Sequence, residues 1–340
     1  MIRQARATAA APLALMLVLV LAGCGERQEP SGAGGPDERL DLVLDYLPNA
    51  DHAGIYTAID RGEFAAAELD VRPQTPTDPA APLKLLASGK ADLAISYEPE
   101  LLLARARGAE LVSIGALVQK PLTSIISLGK KPLRSAAALD GKKVGTAGIP
   151  YQDAYLRTIL ERAGADPRRT RPINVGFNLV PALLTKRVDA VLGMFWNVEG
   201  VELRRQHKDP VILRMDEIGV PTYNELVVVA RAQDVRRRGP LLRRFMRALA
   251  RGHELVRQDT GTGVNALVRA NPDLDPELQR AQIDATLPVF FPADKARPFG
   301  YQEPREWQRY AQWMTDNDLL ATPQTAQRAF TNEFLPGEGI

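Results

Sequence analysis

Residues 83–100, "LKLLASGKADLAISYEPE", and residues 181–200, "PALLTKRVDAVLGMFWNVEG", follow one plan. Each runs from an apolar helix pattern through a short turn to an aspartate, Asp92 or Asp189, that opens an apolar strand. Each then ends in aromatic residues and a glutamate. A helical period that gives way to a short apolar run is the repeating unit of an α/β protein. Meeting it twice predicts two similar α/β units.

The flanking sequence extends both units. "RLDLVLDYL" (39–47) alternates as a strand and leads into a helix from about Ala53 to Arg61, with Gly62 placed to end it. Leu69–Val71 and "AELVSIGALV" (109–118) read as further strands. In the second unit "KKVGTAG", "RPINVGF" and "PVILRM" alternate with helical "PYQDAYLRTILERAG", "LVPALLTKR" and "EGVELRRQ". Such alternation predicts parallel sheets covered by helices. After "ELVVVA" (225–230) the pattern is nearly all helical. The economical assembly makes residues 38–122 one lobe and 131–224 the other, with 232–340 returning to the first. Extended crossings at 123–130 and 225–231 would form a hinge able to absorb domain closure around a ligand.

The first residues read as a leader. Arg3 and Arg6 precede a 14-residue apolar stretch, Ala9–Ala22, which ends in "LAGC" at Cys24. A spanning helix needs about 20 apolar residues, so export fits better than a permanent span. Residues 1–23 are expected to be removed, with Cys24 lipidated as the new N-terminus and 24–37 a flexible tether. The protein is then expected to be held on the extracytoplasmic face of the membrane through Cys24. Because Cys24 is the only cysteine, an intrachain disulfide and a multi-thiolate metal site are excluded. Removing the leader leaves 41 basic and 41 acidic residues. That balance gives no electrostatic case for nucleic acid.

In open α/β sheets ligands lie beyond the carboxyl ends of the strands. There the sequence places Asp45–Tyr56, Ser96–Glu98, Gly145–Gly148, Phe195–Glu199 and Tyr223–Glu225. These segments hold the aromatics Tyr46, Tyr56, Tyr97, Phe195, Trp196 and Tyr223 and the acids Asp45, Glu98, Glu199 and Glu225, but no Lys or Arg. An anion receptor would want guanidinium or ammonium donors. Stacking faces with acceptors suit a flat, nitrogen-rich heterocycle instead. Plainer readings compete: Tyr97 and Phe195 equally suit packing at strand ends, and Glu98 and Glu199 suit helix N-termini. Trp307, Tyr310 and Trp313 read as a packing stripe that could brace the cleft from behind, and the Arg-rich segment 236–258 as a solvated amphipathic helix. The three histidines show no metal-binding spacing, and no nucleophile–base pair or Walker loop occurs.

Five motifs in order, "YLPNADHAGIYTA", "ADLAISYEPE", "FWNVEGVEL", "GVPTYNELVVVA" and "AFTNEFLP", make the chain similar to the substrate-binding proteins of bacterial transporters for the thiamine pyrimidine precursor. These belong to the group named after the fungal thiamine-pyrimidine synthases. The resemblance implies a type II periplasmic-binding-protein fold and, as partners, an ABC transporter permease and its ATPase. It implies no cofactor, and as ligand a hydroxymethyl- or formyl-aminopyrimidine held between aromatic side chains. Carried over by position, the contacts would be Tyr46, Asn49, His52, Tyr56, Ser96, Tyr97, Glu98, Phe195, Trp196, Glu199, Tyr223 and Glu225. Trp196→Ala is expected to abolish most affinity. Riboflavin, also flat and nitrogen-rich, stands as an alternative ligand. The fungal enzyme is the rival from another class, but it carries a cysteine-rich motif that a chain with one cysteine lacks.

Overall fold

A computed structural model describes residues 38–129 and 133–337. The expected leader, lipidated Cys24 and tether lie outside the described residues, as does the end of the first expected crossing.

The first half builds β1 (Glu38–Val43), α1 (Ala53–Asp60), α2 (Glu63–Ala66), β2 (Leu69–Gln74), α3 (Pro82–Ala87), β3 (Leu93–Ser96), α4 (Glu98–Ala106) and β4 (Leu111–Val118). A one-turn 3-10 helix, Ala50–His52, precedes α1. The second half builds β5 (Thr123–Ser127), β6 (Lys143–Thr146), α5 (Pro150–Arg162), β7 (Arg171–Asn174), α6 (Leu179–Leu184), β8 (Ala190–Phe195), α7 (Glu199–Arg205) and β9 (Val211–Arg214). The chain returns through β10 (Leu226–Arg231) into α8 (Ala232–Arg237), α9 (Gly239–Gln258), α10 (Thr260–Ala270), α11 (Pro276–Phe290) and α12 (Pro304–Asp316). Proline sits in the first turn of α3, α4, α5, α9, α11 and α12, where its missing N–H costs no helix bond.

Two five-stranded sheets result, ordered β2-β1-β3-β10-β4 and β7-β6-β8-β5-β9. They share one plan, and the paired passages 83–100 and 181–200 occupy the same place in each. Their opening aspartates do the same work: Asp92 accepts from the Asp41 backbone N–H at 3.0 Å, and Asp189 from that of Lys143 at 2.8 Å. Each bond aligns a central strand with its parallel neighbour.

Two expectations need correction. The sheets are mixed, because β10 runs antiparallel to β3 and β4, and β5 to β8 and β9. The passages between sheets fall at 119–122 and 215–225 rather than at 123–130 and 225–231. Thr123–Ser127 is wholly buried and Leu226–Ala230 is too, and each pairs on both edges. A β-branched run enclosed on both faces gains more as a central strand than as an extended link.

The C-terminal helices cover the first sheet. Helix α9 crosses α1 so closely that a Cβ on Gly252 would lie 2.2 Å from the Gly54 carbonyl oxygen, and one on Gly54 would meet the His253 ring. Among the described residues, no helix is long and apolar enough to cross a membrane.

Candidate ligand-binding site

The turn between β1 and α1 is a closed hydrogen-bond circuit. Asn49 caps the 3-10 turn, its Oδ1 accepting from the Asp51 N–H at 2.8 Å while its Nδ2 donates to the Leu47 carbonyl at 3.0 Å. Its backbone N–H points at His52 Nδ1, 3.2 Å away, which makes that nitrogen the acceptor and leaves the proton on Nε2. His52 Nε2 then donates to Asp45 Oδ1 at 2.9 Å, and the Tyr97 hydroxyl to Asp45 Oδ2 at 2.8 Å. Asp45, His52 and Tyr97 are all buried, so this is a rigid brace that fixes the Tyr97 ring at the carboxyl end of β3.

In front of the brace the two lobes meet at a narrow space. The first lobe lines it with Asp45, Tyr46, Asn49 and Tyr97; the second adds Ile149, Tyr151, Gln152, Leu179, Gly193, Phe195, Val198 and Glu199. No Lys or Arg is among the lining residues. Tyr97 meets Tyr151 at 5.8 Å between ring centroids and Phe195 edge-on at 6.4 Å. Tyr46 reaches across to Phe177 of the other lobe, edge-on at 4.8 Å. In its wall Gly193 lets the Gln152 amide approach: its φ of 105° favours glycine, and a Cβ there would fall on Gln152 Nε2.

The twelve expected contacts separate sharply. Tyr46, Asn49, Tyr97, Phe195 and Glu199 line the space; His52, Tyr56, Ser96, Glu98, Trp196, Tyr223 and Glu225 do not. His52 stands behind, in the brace. Ser96 pairs with Val227 inside the sheet, and Tyr56 is half-buried against the core. Trp196 turns to the first interlobe passage, donating Nε1–H to the Pro121 carbonyl at 3.0 Å under the Arg214 guanidinium, 4.3 Å from its ring. Glu98 accepts from the Asn224 backbone and side chain at 2.8 and 2.7 Å. Glu225 accepts from the Leu122 and Thr123 N–H groups and from the Thr123 and Tyr223 hydroxyls. These acids tie the passages together instead of facing a ligand.

Tyr151 and Gln152 are lining residues that the strand-end reading missed. They open α5 just after the "GTAG" turn, as Glu98 opens α4 after β3, so the first turn of that helix was the available signal. An aromatic chain leads away from the cavity from Tyr151 through Tyr155 to Tyr223 and Trp313, with Tyr310 against both of the last two. Two members of the sequence's aromatic stripe therefore brace the site, while Trp307 stacks on Phe330.

Burial dominates the electrostatics. It raises Glu199 to about 7, against the pull of the Phe195 N–H that its Oε2 accepts at 2.8 Å. It likewise raises Asp51 and Glu225 to about 7 and Glu98 to about 8. Glu199 can thus hold a proton or release it near neutrality at little cost, which suits a partner carrying both amine and ring nitrogen. Among the described residues no group of His, Cys, Asp or Glu could hold a metal ion.

Two α/β lobes, with strand ends and an aromatic-lined space between them, define a two-lobed solute-binding protein. The chain belongs to the family described as NMT1/THI5 like, whose pattern matches residues 49–260. It is 33% identical over 325 residues to the formylaminopyrimidine-binding protein of Halalkalibacterium halodurans, covering 94% of this chain and 96% of that one. It is 24% identical to the 4-amino-5-hydroxymethyl-2-methylpyrimidine phosphate synthase of Legionella pneumophila, covering 88% and 92%. The fold is that of the alkanesulfonate-binding protein SsuA of Xanthomonas axonopodis pv. citri, with TM-score 0.68 and 19% identity over 88% of this chain and 99% of that one.

Proposed function

We propose that this chain is the extracytoplasmic binding component of an ABC importer and captures a thiamine pyrimidine precursor, formyl-aminopyrimidine or hydroxymethyl-pyrimidine. The observation that carries this reading is the lining: tyrosine and phenylalanine faces with carboxyl and amide groups and no cation. Such a wall suits an aminopyrimidine ring, whose exocyclic amine donates and whose ring nitrogens accept, and disfavours a sulfonate. The relative of 33% identity named for formylaminopyrimidine supports it.

In this reading the passages at 119–122 and 215–225 are the hinge, ligand contacts on both lobes stabilise the closed form, and the permease recognises that form. The protein binds without chemistry. His52, the histidine nearest the site, is engaged through both ring nitrogens and stands behind Asp45. Anchoring is through a lipid on Cys24.

Calorimetry of the refolded protein, stripped of carried ligand, against formyl-aminopyrimidine, hydroxymethyl-pyrimidine, thiamine and riboflavin tests the ligand. Submicromolar binding of a pyrimidine supports the proposal, and binding of riboflavin alone refutes it. Fractionation of cells making Cys24→Ser tests the anchor: the variant should leave the membrane fraction.

A further inference from the structure

Most polar groups around the space are already engaged within the protein. Asp45 accepts one bond on each oxygen, from His52 and Tyr97, and Asn49 uses its amide on Leu47 and Asp51. Glu199 keeps acceptor capacity beyond its bond from the Phe195 N–H. Gln152, 1% exposed, is a special case. Its Oε1 accepts the Ala147 backbone N–H at 2.8 Å, and because a backbone N–H can only donate, the orientation of the amide is decided. Its Nε2 must then be the end beside the bare Gly193 in the cavity wall. Beside the N–H it shares with the Tyr151 hydroxyl, Gln152 therefore presents an amide N–H donor, locked in place, and not an acceptor.

From this we infer that Gln152 is a specificity-determining residue, selecting ligands that bring a carbonyl or hydroxyl oxygen to its Nε2 and rejecting those that bring an ammonium group there. The inference rests on the pyrimidine reading above and deepens it: the preferred ligand carries an N-formyl group, not a free aminomethyl group. A free aminomethyl group, protonated near neutrality, would set donor against donor at the Gln152 Nε2 in a dry site, and an unpaired buried donor is costly. A formyl oxygen would accept the Nε2–H instead, while the ring amine is received by Glu199.

The test is calorimetry of the wild type, Gln152→Glu and Gln152→Met against formyl-aminopyrimidine and the corresponding aminomethyl-pyrimidine. Both replacements are close in size to Gln, and thermal unfolding confirms that each variant folds. The wild type should prefer the formyl compound at least tenfold. Gln152→Glu, which can keep the Ala147 bond while presenting an acceptor, should invert that preference. Gln152→Met should lose affinity for the formyl compound at least tenfold with little change for the amine. A preference ratio unchanged in the folded variants, or a wild type favouring the amine, overturns the role of Gln152 and leaves the pyrimidine reading standing. A wild type that binds neither compound overturns both.

Discussion

Glu225 and Thr123 share two hydrogen bonds of 2.8 Å each, from the Thr123 N–H to Oε2 and from its hydroxyl to Oε1. Glu225 ends the return passage and Thr123 begins the strand after the outward one, so one carboxyl group joins both connections between the lobes. Glu225→Ala would remove all of these contacts and leave the Leu122 and Thr123 N–H groups unpaired inside the protein, which should lower stability by about 2–4 kcal/mol. Urea unfolding measures the loss; a difference below about 0.5 kcal/mol would show that the tie carries no load.

On the other side of the cleft, Asn197 Nδ2 lies 2.6 Å from both Asp51 Oδ1 and Thr286 Oγ1, and Gln282 donates to the Val198 carbonyl at 3.0 Å. These bonds hold the loop after β8 to the first lobe's 3-10 turn and to α11. Asn197→Ala removes two of them, worth about 1–3 kcal/mol together. The ligand-free protein should shift to open forms with a larger radius of gyration in small-angle scattering, and ligand affinity should fall. An unchanged radius and affinity would show that the loop is held without Asn197.

Trp196→Ala should leave affinity within about threefold of wild type, because its indole packs on the Pro121 passage outside the cavity. Phe195→Ala, at the lining, should lose affinity by at least tenfold. Calorimetry on the pair decides between this arrangement and the sequence-based expectation for Trp196.

Stability should depend on pH in a definite direction. Asp51, Glu199 and Glu225, raised to about 7, and Glu98, raised to about 8, stay protonated in the fold where the unfolded chain has already ionised. Their stability contribution is therefore fully present below about pH 4 and is lost as pH rises towards 8. His253 acts oppositely: burial lowers it to about 4, so stability falls as pH drops from 6.5 towards 4. Four acids outweigh one histidine, and the urea midpoint should be higher at about pH 5 than at about pH 8. A midpoint that climbs over that range would contradict the buried protonated acids.

Gly252→Ala should destabilise by about 1–3 kcal/mol, because its Cβ would fall on backbone at the α1–α9 crossing, not on a movable side chain. Urea unfolding checks it, with Gly62→Ala as a comparison where strain comes from φ +72° and no neighbour lies within 4 Å.

The sequence by itself determined the elements and the repeated α/β plan, because helix and strand periods and the strand-opening aspartates are local signals. It also pointed to the strand ends, where the interlobe space lies, and the absence of cations there could be read directly. Only the tertiary structure decided which side chains face the cavity. Glu98 and Glu199 occupy matching positions in the repeated passages, yet Glu98 is taken up by Asn224, from the return passage, and Glu199 is left at the cavity. Trp196 follows Phe195, but the turn after β8 sends the indole to the passage and the phenyl ring to the interlobe space. Partners 75 residues away for Trp196 and 126 for Glu98 make that choice, as Thr123 does for Glu225, and local spacing carries no record of them.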